Sequence, residues 1–181
     1  FPVLHGAYGE DGTLQRLLEQ MQIPFVGSSS SVSSLAIDKN KTNILFQNHG
    51  LIIPKTSHIK RDSVEHDCLY PVIVKPVDEG SSVDLLKCNN EEEYKNVHEV
   101  IFKNHETMLI QECIEGREFT CGVIEDEGNP MPLLATEIIL TQGELFDYDA
   151  KYTVGGCIEV TPAEVHDDVM KRIQNVALTC H

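Results

Sequence analysis

Tyr70-Pro-Val-Ile-Val-Lys-Pro-Val-Asp-Glu-Gly-Ser-Ser-Val83 sets a lysine at the end of an apolar run and directly ahead of a glycine-serine turn. Val72, Ile73 and Val74 lie between Pro71 and Pro76 and read as a short buried strand, because the run is β-branched and too brief for a helix. Lys75 then stands where that strand leaves the core. In Glu79-Gly80-Ser81-Ser82, the glycine lets backbone approach a ligand closely, and N–H groups and hydroxyls can donate to phosphate oxygens. Taken by itself, such a stretch is more often an ordinary surface loop with a solvated lysine, so its reading depends on the rest of the chain.

With 181 residues the chain can bury a sizeable core, in one domain or in parts of two. Hydrophobic content of 41% and charged content of 24% fit a globular protein, and no apolar run is long enough to cross a bilayer. The opening Phe-Pro-Val-Leu shows no secretory signal. Fourteen basic against 29 acidic side chains leave a net charge of −15, which repels nucleic acid. The same field opposes ATP, so a nucleotide site here requires clustered lysines and a divalent cation. Acidic runs such as Glu91-Glu92-Glu93 and Glu125-Asp126-Glu127 read as solvated faces. Six cysteines without a CxxC pair or zinc-ligand spacing suit reduced thiols in a cytoplasm. Cys113 and Cys121, inside apolar runs, are expected to be core residues.

Phe1–Leu4 and Ile23–Val26 read as strands, and Leu14, Leu17, Leu18 and Met21 repeat at helical spacing between them. A serine-rich segment through Ser34 reads as a hinge or a plain surface loop. Asp38 is placed to cap a helix that runs to about Asn48 and stops at Gly50. A further helix is expected from about Asn90 to Lys103. From Met108 the period changes, and Met108–Ile114, Glu118–Ile124 and Leu133–Leu140 read as strands of an antiparallel sheet. Thr161-Pro-Ala-Glu164 has the form of a capping box opening a last helix, with Val165, Val169, Ile173 and Ala177 as its apolar stripe. The alternation before residue 105 followed by a sheet-rich part gives an α/β or α+β fold class.

Neither a Walker A string nor a GxGxxG fingerprint is present. Asp147-Tyr-Asp-Ala-Lys-Tyr152 offers a second lysine, Lys151, with an aromatic neighbour, and reads equally as a solvated loop. His5-Gly-Ala-Tyr-Gly-Glu-Asp-Gly12 interleaves glycines with ionisable groups just before a helix, a polar rim suited to anions.

Together, HGAYGEDGTLQ at 5–15, Lys39 in Ile37-Asp-Lys39, the 70–83 string, IEGREF at 114–119, FDYDAKY at 146–152 and TPA at 161–163 closely resemble the D-alanine–D-alanine ligase family of ATP-grasp enzymes. The resemblance implies an ATP-grasp fold, with residues 1–34 from a substrate-binding α/β domain, 35–110 the central ATP-grasp subdomain and 111–181 the C-terminal one. It also implies ATP-dependent joining of two D-alanines through a D-alanyl phosphate, for peptidoglycan. Lys39 and Lys75 would hold nucleotide phosphates, with Glu79, Gly80, Ser81 and Ser82 as the phosphate loop. Gln111, Glu112, Cys113 and Ile114 would lie against adenine, and Glu118 would take the ribose hydroxyls. Phe146–Tyr152 would form a mobile flap, with Lys151 on the γ-phosphate and Tyr152 meeting Ser81. His5 would sit on the substrate side. Magnesium or manganese ions, their ligands, an oxyanion-binding arginine and a substrate-binding glutamate are implied outside these residues, and a homodimer in the full-length protein. By this reading the 181 residues are the central piece of a ligase, inactive alone. Competing readings are a degenerate or regulatory ATP-binding protein and another ATP-grasp carboxylate–amine ligase. Asp84 stands where the family has glycine after Ser-Ser-Val and is expected to oppose phosphate, while Arg16 replaces a small residue.

Overall fold

The structure is a computed structural model and describes residues 1–181, in two compact units. The first comprises Phe1–Asn48 and Ile52–Ile114. It begins with three helices, α1 (Thr13–Gln20), α2 (Ser30–Ile37) and α3 (Lys39–Asn48). There follow β1 (Thr56–Lys60), β2 (Val72–Pro76), β3 (Leu86–Cys88), α4 (Glu91–Ile101) and β4 (Thr107–Glu112). The four strands pair antiparallel in the order β1-β4-β2-β3.

The strand expected around Val72–Val74 is the inner β2, and its two faces differ as the pleat requires. Val72, Val74 and Pro76 are buried on one face, where Val72 and Val74 join Cys88, Met108 and Ile110 in a core covered by Tyr94 and Ile101 of α4. Ile73 and Lys75 point to the opposite face. Register puts Gln111 and Leu109 of β4 and Lys87 of β3 on that second face, since Ile73 faces both Gln111 and Lys87, and Lys75 faces Leu109. α4 begins as expected, with the Asn90 side chain accepting from Glu93 N–H at 3.0 Å. α3 likewise has Asp38 Oδ1 accepting from Lys41 N–H at 3.0 Å, and Gly50 is left-handed at φ 76°.

Several expectations fail in this unit. Phe1–Leu4 and Ile23–Val26 form no strand; Phe1 and Val3 are 85% and 73% exposed, with no neighbouring strand to pair them. The serine-rich segment is no hinge or plain loop. Ser29 caps α2 by accepting from Val32 N–H, and Glu19 of α1 receives both Ser30 N–H at 2.8 Å and Ser30 Oγ–H at 2.6 Å. Cys68 and Cys88 are the buried cysteines, while Cys113 is only partly covered because it falls just beyond the end of β4, as is Cys121 of the other unit just beyond a strand of its own.

The second unit comprises His49–Leu51 and Glu115–His181. It holds β5 (Glu118–Thr120), β6 (Val123–Asp126), β7 (Asn129–Pro132), β8 (Thr136–Leu140), α5 (Tyr148–Tyr152), β9 (Cys157–Val160) and α6 (Asp167–Cys180). The run expected as one strand at Glu118–Ile124 breaks at Cys121-Gly122, where Leu133 N–H bonds the Gly122 carbonyl at 2.8 Å. Its first half joins the antiparallel sheet β5-β8-β9, and its second half forms a hairpin with β7. Glu127 and Gly128 turn that hairpin with φ of 49° and 80°, the left-handed pair that a two-residue type I′ turn needs. The last helix starts at Asp167 rather than Pro162. Ala163 N–H is bonded to the Ala135 carbonyl at 2.8 Å, and the Thr161 and Thr136 hydroxyls meet at 2.6 Å, so this stretch is tied to the sheet instead of opening a helix.

Candidate functional site

In the first unit, the sheet face bearing Lys75 and the start of α3 bring two lysines together. Lys39 N–H bonds the Val77 carbonyl at 2.9 Å, and its ammonium reaches back to the Val77 carbonyl at 3.4 Å and to that of Glu79. The α3 N-terminus is thereby stitched to the segment leaving β2. Burial lowers the Lys39 pKa from its ordinary value, against the opposing pull of the Asp78, Glu79, Asp38 and Glu10 carboxylates. Burial brings Lys75 down to about 8, and the neighbouring Lys39 ammonium pushes the same way. The Lys39 ammonium disfavours the charge on Lys75, and an anion held by the two half-buried groups would offset that repulsion.

The loop after Lys75 completes the arrangement. Ser81 and Ser82 are left-handed, at φ 51° and 58°, and Val83 N–H closes on the Gly80 carbonyl at 3.1 Å. Non-glycine residues with such angles are uncommon and gather at ligand clamps. Gly80 lies against the Glu10 carboxylate, so tightly that a Cβ there would strike Glu10 Oε2. Glu10 in turn accepts from Gly6 N–H at 2.5 Å. The HGAYGEDG rim and the phosphate-type loop, 70 residues apart in sequence, are therefore neighbours. Within the rim, Asp11 accepts from Tyr8 N–H at 3.1 Å and Thr13 N–H at 2.8 Å, bonds that hold its pKa below the ordinary carboxylate value. The first turn of α1 thus takes its anion from Asp11, and the rim offers Gly6 and Glu10 to the loop instead. His5 is exposed beside Gly6, and Arg16 is exposed on α1.

Gln111 lies on the Lys75 face, with its side-chain amide donating to Thr56 Oγ1 at 2.9 Å. After it, Glu112 N–H bonds the Lys55 carbonyl, its carboxylate accepts from Lys55 N–H at 2.9 Å, and Cys113 N–H bonds the Pro71 carbonyl at 3.1 Å. These bonds fix the backbone as far as the 65%-exposed Ile114.

In the second unit, Glu118 opens β5 opposite Ile138. The residues flanking it face the other way: Phe119 lies opposite Glu137, and Arg117 grips that carboxylate with two bonds of 2.6 Å. Arg117 also donates to the Glu164 carbonyl at 3.0 Å and lies 5.1 Å from the Phe119 ring centre. This bracket fixes the start of β5 and was not legible as a pair in sequence, because its members are 20 residues apart. The segment 147–152, expected as a loop, is the helical turn α5, because Asp147 caps it by accepting from Ala150 N–H at 2.9 Å. Lys151 Nζ stands 5.0 Å from the Phe146 ring centre, and the Tyr148 and Tyr152 rings are 4.6 Å apart. No group of three or more His, Cys, Asp or Glu side chains is placed to hold a metal ion, so no residue here is assigned to one and no step is derived through one.

The antiparallel sheets, with the half-buried lysine pair and its left-handed serine loop, belong to an ATP-grasp fold shared with solved ligases. The D-Ala:D-Ser ligase VanG from Enterococcus faecalis superposes with a TM-score of 0.84 at 34% identity, over 98% of this chain and 53% of that one. The family model described as D-ala D-ala ligase C-terminus matches residues 52–181, and that of the N-terminus matches residues 1–28. The chain belongs to the D-alanine–D-alanine ligase family. Curated relatives of that name include those of Leptospira biflexa, 39% identical over 98% of this chain and 54% of the relative, and Lawsonia intracellularis, 40% identical over 100% and 59%. The chain spans about half the length of the curated relatives it matches.

Proposed function

We propose that these residues form the nucleotide-handling part of an ATP-dependent ligase that joins D-alanine to a second D-amino acid for peptidoglycan. The observation that carries this reading is the Lys39–Lys75 pair beside Gly80-Ser81-Ser82, within a chain of this family. Bound ATP supplies the phosphoryl group that activates a carboxylate. Lys39 and Lys75 neutralise its phosphates, and Glu79 to Ser82 orient them through backbone and hydroxyl donors. This division suits phosphoryl transfer, which needs charge neutralisation and alignment more than covalent help.

In the same reading, Gln111 to Ile114 support adenine and Glu118 takes the ribose hydroxyls. Lys151 meets the γ-phosphate, with Tyr152 and Ser81 in the catalytic set. His5 orients the first D-alanine. Residues 1–34, 35–110 and 111–181 then correspond to the substrate-binding, central and C-terminal parts. Magnesium, a cytoplasmic location and a homodimer belong to the same proposal. The second substrate is read as D-alanine, the second amino acid in the printed name of the curated relatives. Likeness to a D-Ala:D-Ser ligase makes D-serine the competing amine, and a mixed-substrate assay on the intact protein separates the two.

Calorimetric titration of ATP into wild type and Lys75→Ala is the primary test. Wild type is expected to bind, with Lys75→Ala weaker by about tenfold or more, the effect of losing one charge-assisted contact. Equal affinity would remove Lys75 from the site.

A further inference from the structure

The phosphate-type loop is held at both ends, and only one of its anchors belongs to the lysine pair. At its start, the Lys39 ammonium bonds the Glu79 carbonyl and Gly80 packs on Glu10. At its end stands Asp84, left-handed at φ 52° like Ser81 and Ser82. Its carboxylate meets His105 Nε2 at 3.0 Å. The His105 side chain is only 11% exposed, against 45% for Asp84.

His105 is itself a fixed post. It follows α4, its N–H bonds the Ile101 carbonyl at 3.0 Å, and its carbonyl accepts from Arg61 at 3.3 Å. A side chain so rooted confers its own position on whatever it bonds. The Asp84 carboxylate is thus drawn to a nitrogen in the turn between α4 and β4, and the residue that was expected to oppose phosphate has its charge engaged elsewhere.

We propose that Asp84 and His105 form a latch that positions the 80–84 loop for nucleotide phosphates. Both are positioning residues, acting through the loop, and the inference rests on the reading of this loop as an ATP site. Removing His105 frees a carboxylate beside the phosphate loop and releases the loop's end. Both effects weaken phosphate binding, and neither touches adenine or ribose.

The test compares MgATP and adenosine binding to the intact protein by calorimetry. His105→Ala is expected to weaken MgATP by about fivefold, the scale of one lost hydrogen bond, and to leave adenosine affinity unchanged. His105→Asn, which keeps a donor, is expected to recover part of that loss. In an Asp84→Gly background, the His105→Ala change is expected to lose its effect. Unchanged MgATP affinity in His105→Ala, or equal weakening of MgATP and adenosine, overturns the latch while leaving the ATP site intact. Absence of MgATP binding to wild type overturns both.

Discussion

Lys75 carries opposite consequences for stability and function. In water a lysine titrates near pH 10.4, whereas burial and the Lys39 charge bring Lys75 to about 8. Below that value the side chain is charged in both folded and unfolded states, and the full cost of burying its charge is present at neutral pH. As pH rises from about 8 to about 10.4, the folded state has released its proton while the unfolded state still holds one, so the nucleotide-free protein gains stability across that window. Lys75→Met is therefore expected to stabilise the nucleotide-free protein by about 2 kcal/mol near pH 7 and to flatten this pH dependence. The same variant is expected to bind ATP more weakly, by about tenfold or more. Urea midpoints from pH 7 to 10, paired with ATP titrations, check both; a less stable variant or an unchanged slope would refute the assignment. At the proposed site ATP would favour the charged form of Lys75, so binding near pH 8 is also expected to take up protons, a signal Lys75→Met lacks.

Among the elements, α1, α3, α4 and β2 follow from local chemistry. Asp38, Asn90 and Gly50 act where their side chains or left-handed freedom were expected. Apart from the local caps of α2 and α5, what could not be read depended on partners distant in sequence. The apolar runs at Phe1–Leu4 and Ile23–Val26 have the pattern of strands and no strand beside them. β1 was not legible for the converse reason, since Thr-Ser-His-Ile-Lys buries only Ile59 and is held as an edge by its register with β4. Lys75 and the glycine-serine loop of the candidate site were legible as one contiguous motif, whereas Lys39 entered only through the family resemblance. The Glu10–Gly80 packing and the Asp84–His105 bond were not, since each joins segments that only the fold brings together. α2 makes the same point about helix packing. Gly12 is left-handed at φ 87°, and a Cβ on it would run into the Ser30 carbonyl at the start of α2. Gly12→Ala combines backbone strain with that collision, and is expected to cost about 2–4 kcal/mol. A urea midpoint reads this directly, and a loss of a few tenths would mean that the two helices part without penalty.

For the molecule as a whole, the proposed nucleotide site makes charge the term that governs how ATP would arrive. A net charge of −15 repels ATP at long range, while the lysine pair attracts it only once it is close. Salt separates the two. Raising ionic strength from about 10 mM to about 150 mM shortens the screening length from about 30 Å to about 8 Å. Repulsion between the nucleotide and distant carboxylates then fades, whereas contacts to half-buried lysines a few ångströms away are screened much less. The ATP association rate constant is therefore expected to rise with salt by a factor of about two or more, with little change in dissociation. Cationic nucleotide sites on basic proteins behave in the opposite sense, because there the distant field steers the ligand inward. Stopped-flow measurements with a fluorescent ATP analogue at both salt concentrations decide the matter. A rate constant that falls with salt would mean that Lys39 and Lys75 set the potential well beyond their own contacts, and that the surplus acid is spread where the incoming nucleotide does not feel it.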